Sequence, residues 1–171
     1  MEFISSLPWA FWYILPAYVA NASPVLVGGG RPIDGGRLWK DGRRVLGDGK
    51  TWRGLIGGVS LGTAVGVPQY FITPDFYGSL KTAIVLAFLL SFGALLGDLV
   101  GSFIKRRVNL PRGAPAVGLD QLGFLISALA LAYPVKTLDS GQIIFLLIVS
   151  PFIHWGANYF AYKMGWKSVP W

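Results

Sequence analysis

The sequence predicts an all-α integral membrane protein with five transmembrane helices, N-terminus outside and C-terminus cytoplasmic, from three observations. Hydrophobic residues are 53% of the 171 and charged residues only 13%, against roughly 25% charged in soluble domains. Apolar residues gather in five stretches, at about 3–27, 54–72, 82–104, 116–135 and 142–162, each near the roughly 20 residues that cross a bilayer. Thirteen of the fifteen Lys and Arg lie in the loop at 28–53, the turn at 105–115 and the C-terminal tail, leaving Lys81 and Lys136 for the other side. That excess marks the cytoplasmic loops. Residues 1–171 thus read as a single transmembrane domain in the cell membrane. Seven Trp, seven Tyr and eleven Phe suit its interfaces, and the lack of cysteine excludes disulfides, thiolate metal sites and cysteine nucleophiles.

The first stretch opens on Met1-Glu2 instead of a basic region and lacks a convincing cleavage site, so it reads as a retained helix, not a signal peptide. Pro8 and Pro16 each remove a helical hydrogen bond and free a carbonyl that another helix or water must satisfy. Asn21, in the run NASP, is the polar exception near its far end: either an amide bonded between helices or a substrate contact.

From Gly28 to Arg53 the chain holds seven Lys or Arg, three Asp and many glycines without a helical apolar period. Such a loop can cradle phosphate, since glycine backbone approaches an anion closely and basic side chains supply charge, or it can simply enforce orientation. GDGKT at 47–51 is not a P-loop: a glycine is required at position 44, where Arg44 stands.

The second stretch carries Gly54, Gly58, Gly62 and Gly66, and the third Gly93, Gly97 and Gly101. Both are small-xxx-small faces on which helices pack closely. The third also carries Asp98, Gly101, Ser102 and Lys105 at helical spacing, a polar or small stripe on an otherwise apolar helix. Asp120 enters the fourth stretch just after the Pro111–Pro115 turn, so an antiparallel pair would bring both carboxylates to comparable depth. An aspartate inside a membrane helix costs roughly 2.5 to 3.5 kcal/mol even on the mildest scale, so each needs a partner. The choices are a structural ion pair with Lys or Arg, a proton or ion pathway, or Mg²⁺ bound by hard oxygens together with nucleotide phosphate. With His154 as the sole histidine, zinc is disfavoured. His154 and Asn158 share a face of the fifth stretch, as an interhelical bond or a substrate contact.

PAYVANASP, GDGKTWRG, GDLVGSFIKRR and GAPAVGLDQLGF together resemble the archaeal CDP-archaeol synthase family, related to the CDP-diglyceride synthetases, over almost the whole chain. The most specific part is the GD-x3-S-x2-KR run followed by a second aspartate. The chain departs from the bacterial and eukaryotic form, having Asn109-Leu110 and Asp120-Gln121 where that form continues with KD and DR pairs.

The resemblance implies a nucleotidyltransferase that moves a cytidylyl group from CTP to a diether lipid phosphate, releasing pyrophosphate, with the active site facing the cytoplasm. It implies Asp98 and Asp120 as Mg²⁺ ligands and, with Lys105, as catalytic residues. Lys50, Thr51, Arg53, Ser102, Arg106, Arg112 and Asn21 are then the substrate-binding candidates. Membrane lipids are expected partners; nucleic acid and an obligate protein partner are not. A small ion-coupled transporter using the same aspartates is the alternative, although no inverted repeat is evident.

Overall fold

The computed structural model describes residues 2–111 and 113–170. Among them are seven helices: α1 (Glu2–Ala22), α2 (Pro24–Val27), α3 (Trp52–Ile72), α4 (Pro74–Tyr77), α5 (Leu80–Arg107), α6 (Leu119–Ala132) and α7 (Ser140–Lys163). Among the described residues four spans are long and apolar enough to cross a membrane: Ser5–Val27, Trp52–Ile72, Leu80–Arg107 and Ser140–Lys163.

The fourth stretch departs from the expectation of a full-length span. Its helix, α6, has 14 residues, about 21 Å at 1.5 Å per residue, short of a hydrocarbon core of roughly 30 Å. Gly113 and Gly118, at φ 82° and 83°, hold the approach in a left-handed turn that the helical pattern could not reveal. Even so, the segment runs from one end of the bundle to the other. Asp120 meets Lys105 at the end of α5, whereas the chain leaving α6 places Lys136 Nζ 2.8 Å from the Phe76 carbonyl at the opposite end.

In the first stretch α1 and α2 follow each other almost without interruption: Ser23 keeps helical dihedrals, φ −57° and ψ −35°, its amide bonds the Val19 carbonyl at 3.0 Å, and its Oγ donates to the same carbonyl at 2.6 Å, so that Pro24 removes one hydrogen bond without ending the span. Within α1, Pro16 lacks the N–H that would bond Trp12. Gln69, buried on α3, donates Nε2 to the Trp12 carbonyl at 2.5 Å, so the freed acceptor is satisfied from a neighbouring helix.

Glycine sets the contacts around α5, the central helix. Gly58, Gly62 and Gly66 of α3 lie against α1 and one side of α5, with Ala20, Pro16, Ser91, Ala83 and Ala87 as neighbours. On the other side Gly93 meets Ala128, Gly97 meets Gly123 and Ser127, and Gly101 meets Leu119. Backbones approach where no Cβ intervenes, which multiplies dispersion contacts in the absence of a hydrophobic driving force between helices. In contrast α7 packs more loosely, held by Tyr18 Oη to Ser150 Oγ at 2.6 Å, Gln142 Nε2 to the Ser6 carbonyl at 2.9 Å, and Phe11 edge-on to Phe145. Its outer face exposes Phe152 and Trp155, suited to lipid contact.

The loop between α2 and α3 is ordered around Asp34. Its carboxylate accepts from Arg44 Nη2 at 2.6 Å and Nε at 3.2 Å, and from the amides of Leu46, Gly47 and Gly36. The Arg44 guanidinium, aided by these amides, holds the Asp34 carboxyl far below the ordinary carboxylate range against the opposing effect of burial. Isolated antiparallel bridges, Pro32 to Thr51 and Leu38 to Arg44, close the loop on itself. It is then fastened to the end of α5. Arg107 pairs with Asp41 at 2.6 Å and lies over the Phe103 ring at 4.9 Å, while Arg43 Nη1 donates to the Arg107 carbonyl at 2.7 Å. The two basic segments therefore share one end of the bundle.

Candidate active site

The start of α3 builds the first half of the site. Thr51 Oγ1 caps the helix by accepting from the Gly54 amide at 3.1 Å, which fixes the direction in which Lys50 leaves the loop. Lys50 Nζ reaches Asp98 Oδ2 on α5 at 2.5 Å, with both side chains about one-third exposed, at 27% and 32%. Lys50, Thr51, Gly54, Asp98 and Leu99 line a recess of about 30 Å³, room for a water or two.

The second half lies at the start of α6. Lys105 Nζ sits 3.0 Å from both oxygens of Asp120, whose Oδ2 also accepts from the Ala116 amide at 2.9 Å. The loop before α6 is thus pinned to the same carboxylate. Because Gly93 faces Ala128, Gly97 faces Gly123 and Gly101 faces Leu119, Asp98 stands level with residue 122 of the antiparallel partner. Asp120 lies two positions away in that register, roughly 3 Å along the axis. The two carboxylates are at comparable depth.

Beside this polar cluster opens a cavity of about 410 Å³ between α1, α2 and α7, lined by Tyr18, Asn21, Phe124, His154, Asn158 and Trp166 among mainly apolar side chains. His154 stacks near Phe124 at 6.2 Å and lies within electrostatic reach of Asp98, Asp120 and Lys105. The apolar chamber and the charged cluster therefore lie within electrostatic range of each other through His154.

The residues singled out from the sequence distribute unevenly. Lys50, Thr51 and Asp98 meet in the recess, Lys105 meets Asp120, and Asn21 lines the apolar cavity instead. Ser102 is half-buried on α5; Arg106 donates Nη2 to the Pro111 carbonyl at 3.2 Å and lies beside Gly47. Arg53 is exposed on the first turn of α3, outside the recess lining. Arg112 lies outside the described residues.

Residues 3–171 match the family model described as CarS-like: CDP-archaeol synthase. The chain belongs to the CDP-archaeol synthase family. The CDP-archaeol synthase of Thermococcus kodakarensis is 85% identical over all of both chains, and that of Methanocaldococcus jannaschii is 50% identical over 95% of this chain and 96% of its own. A solved structure of an intramembrane enzyme for archaeal membrane lipids biosynthesis is 39% identical. It superposes with a TM-score of 0.81 over 89% of this chain and 94% of its own. As a member of this family the chain is an enzyme, a nucleotidyltransferase, and its apolar helices place it in the membrane.

In this family member the donor set suits a hard divalent cation. Asp98 binds Lys50 through Oδ2, and among the described residues its Oδ1 accepts no hydrogen bond. Two carboxylates supply only part of an octahedral shell, and no group of three or more His, Cys, Asp or Glu among the described residues would complete it. Water and phosphate oxygens would have to fill the rest, the usual coordination of Mg²⁺.

Lys167 is not marked by any motif of the sequence. It donates Nζ to Asn158 Oδ1 at 2.8 Å. Burial lowers its pKa, with Asp120 opposing and Lys105 and Lys50 reinforcing the shift. No local pattern signals this, because a lysine four residues beyond a helix end has no fixed direction until the chain folds.

Proposed function

We propose that this protein transfers the cytidylyl group of CTP to an unsaturated archaeal diether glycerol phosphate, 2,3-bis-O-geranylgeranyl-sn-glycerol 1-phosphate, in a Mg²⁺-dependent reaction. The observation that carries the reading is the junction between the Lys50, Asp98, Lys105 and Asp120 cluster and the apolar cavity. A water-soluble triphosphate and a lipid with a charged head need such a junction, one from each side.

An oxygen of the lipid phosphate attacks the α-phosphorus of CTP, and the bond to the β-phosphate bridge oxygen breaks to release pyrophosphate. The attacking group is already ionised near neutrality, its second pKa being about 6, so no general base is required. Asp98 and Asp120 would hold Mg²⁺, which when bound neutralises charge on phosphate oxygens. Lys50 and Lys105 stand ready to exchange their carboxylate partners for phosphate, a charge-assisted contact that positions both anions. Since the recess by Lys50 has room only for a water or two, the cytosine and ribose lie outside it, toward the basic loop. Arg106 beside Gly47 is placed to meet the polyphosphate there.

Purified protein given radiolabelled CTP, Mg²⁺ and the diether phosphate should form labelled lipid and pyrophosphate in equal amounts, with no label on protein. Label retained on protein before lipid is added would refute direct attack; absence of lipid product with all components present would refute the transfer itself.

Five crossings, with the basic end in the cytoplasm, follow from the same reading, because α6 connects the two ends and the Lys- and Arg-rich segments converge at one of them. Single cysteines in this cysteine-free chain provide the check. In intact cells an impermeant maleimide should label Asp75→Cys and spare Arg43→Cys, and the reverse pattern would invert the topology.

A further inference from the structure

Between Arg37 and Val45 the basic loop folds into a tight hairpin. The Trp39 amide bonds the Arg43 carbonyl at 2.7 Å and the Val45 amide bonds the Arg37 carbonyl at 3.0 Å. The turn closes from the Gly42 amide to the Trp39 carbonyl at 3.0 Å, with Gly42 at φ 74°. Its first arm reads Arg37-Leu38-Trp39-Lys40, and all four side chains are exposed, Leu38 at 61% and Trp39 at 47%. Two bulky apolar groups side by side, held out by an ordered backbone, form a surface that water disfavours.

The place of the hairpin on the bundle indicates what covers that surface. Trp39 packs edge-on against Phe103 of α5, with ring centroids 5.3 Å apart. Phe103 follows Leu96 by seven residues and Phe92 by eleven, spacings that return to one helix face. Phe92 and Leu96 belong to an exposed apolar stripe on α5 that also takes in Phe88 and Val100, the surface that a spanning helix turns to lipid. Leu38 and Trp39 therefore prolong a lipid-facing stripe at the end where α5 becomes basic, Lys105 to Arg107, which is the level of the headgroups. The charges of the hairpin are sorted as well. Asp41 is taken by Arg107 at 2.6 Å, whereas among the described residues no ion pair or side-chain hydrogen bond engages Arg37 or Lys40.

We propose that the Arg37–Lys40 arm is a binding site for anionic phospholipid of the surrounding bilayer, with Leu38 and Trp39 seated among the upper acyl chains and Arg37 and Lys40 on the headgroups. A soluble anion would satisfy the two cations but leave the apolar pair in water; a lipid satisfies both. The site is separate from the reaction centre, since none of the four residues lines the recess or the 410 Å³ cavity. Because Arg43 and Arg107 fasten the hairpin to the end of α5, lipid bound there holds the loop that carries Lys50 against the bundle.

Leu38→Cys, labelled with a fluorescent maleimide and placed in phosphatidylcholine bilayers, reads both parts of the site. Chain-brominated lipid should quench the label and aqueous iodide should not. Brominated phosphatidylglycerol diluted into phosphatidylcholine should give half-quenching at roughly a twentyfold lower mole fraction than brominated phosphatidylcholine, each of the two basic side chains favouring anionic lipid about fivefold. Adding Arg37→Gln and Lys40→Gln together should bring the two lipids within about twofold while the label stays in the bilayer and the melting temperature is unchanged. Excess inorganic phosphate should not relieve the quenching. Ready quenching by iodide would place the hairpin in water, and equal quenching by both lipids would leave an apolar anchor without an anion site. Displacement by phosphate would mark a soluble-anion site, and shielding from every quencher that rises with the protein-to-lipid ratio would mark a second copy of the chain. Each of these results overturns the proposal.

Discussion

Asp98→Asn and Asp120→Asn are each expected to lower turnover by about a hundredfold or more, the usual scale for removing one preorganised electrostatic contact. Asparagine keeps the shape and one acceptor oxygen but supplies neither the negative charge that attracts a divalent cation nor a counter-charge for the neighbouring lysine. Folding should suffer little. Both ion pairs are partly exposed, with side-chain exposures of 32% for Asp98 and 26% for Asp120, so each contributes about 1 kcal/mol or less to stability. Turnover measured across a Mg²⁺ titration, alongside melting in detergent, separates the two effects. Near-normal rates in both variants at ordinary Mg²⁺ would mean that the carboxylates only neutralise Lys50 and Lys105, the structural ion-pair reading that the sequence left open.

Substituting Gly97 should damage the fold as strongly as the aspartates damage chemistry. A Cβ at this position would strike the Gly123 carbonyl and come within 2.7 Å of Ser127 Oγ. The first of these is backbone and cannot swing aside, so α5 and α6 must part, at a cost of about 3 kcal/mol for alanine and more for valine. Since Asp98 follows Gly97 and Asp120 lies on the facing helix, activity should fall with stability. Gly156→Ala is the control: nothing lies within 4 Å of its added methyl, and alanine is the better helix former. Comparable melting temperatures for Gly97→Ala and Gly156→Ala would contradict the close packing of α5 on α6.

The glycine ladders show why much of this architecture was legible. A small-xxx-small face is a local periodic pattern, and its consequence, close approach of two backbones, needs no knowledge of the partner. Pro16 is similar. Its missing N–H guarantees a freed carbonyl four residues earlier, although the donor, Gln69, sits 57 residues away from Trp12 and emerged only with the fold. The segregation of basic residues at one end was equally readable, because it is a sum over loops and not a contact.

What the sequence by itself determined is the membrane class, the helices α1, α3, α5 and α7, the glycine faces and the presence of two aspartates on apolar helices next to basic turns. Tertiary structure decided the pairings, Lys50 with Asp98 across 48 residues and Lys105 with Asp120 across 15, and the shortening of α6 by its left-handed glycines. It also decided that Asp34 is the hub of the basic loop and that Trp166 and Lys167 return to the cavity. The physical reason is one of range. Hydropathy and helical period act over a few residues and survive in the linear text, whereas ion pairs, cavities and loop hubs depend on which helices lie antiparallel and in what register, and that is fixed only when the backbones meet.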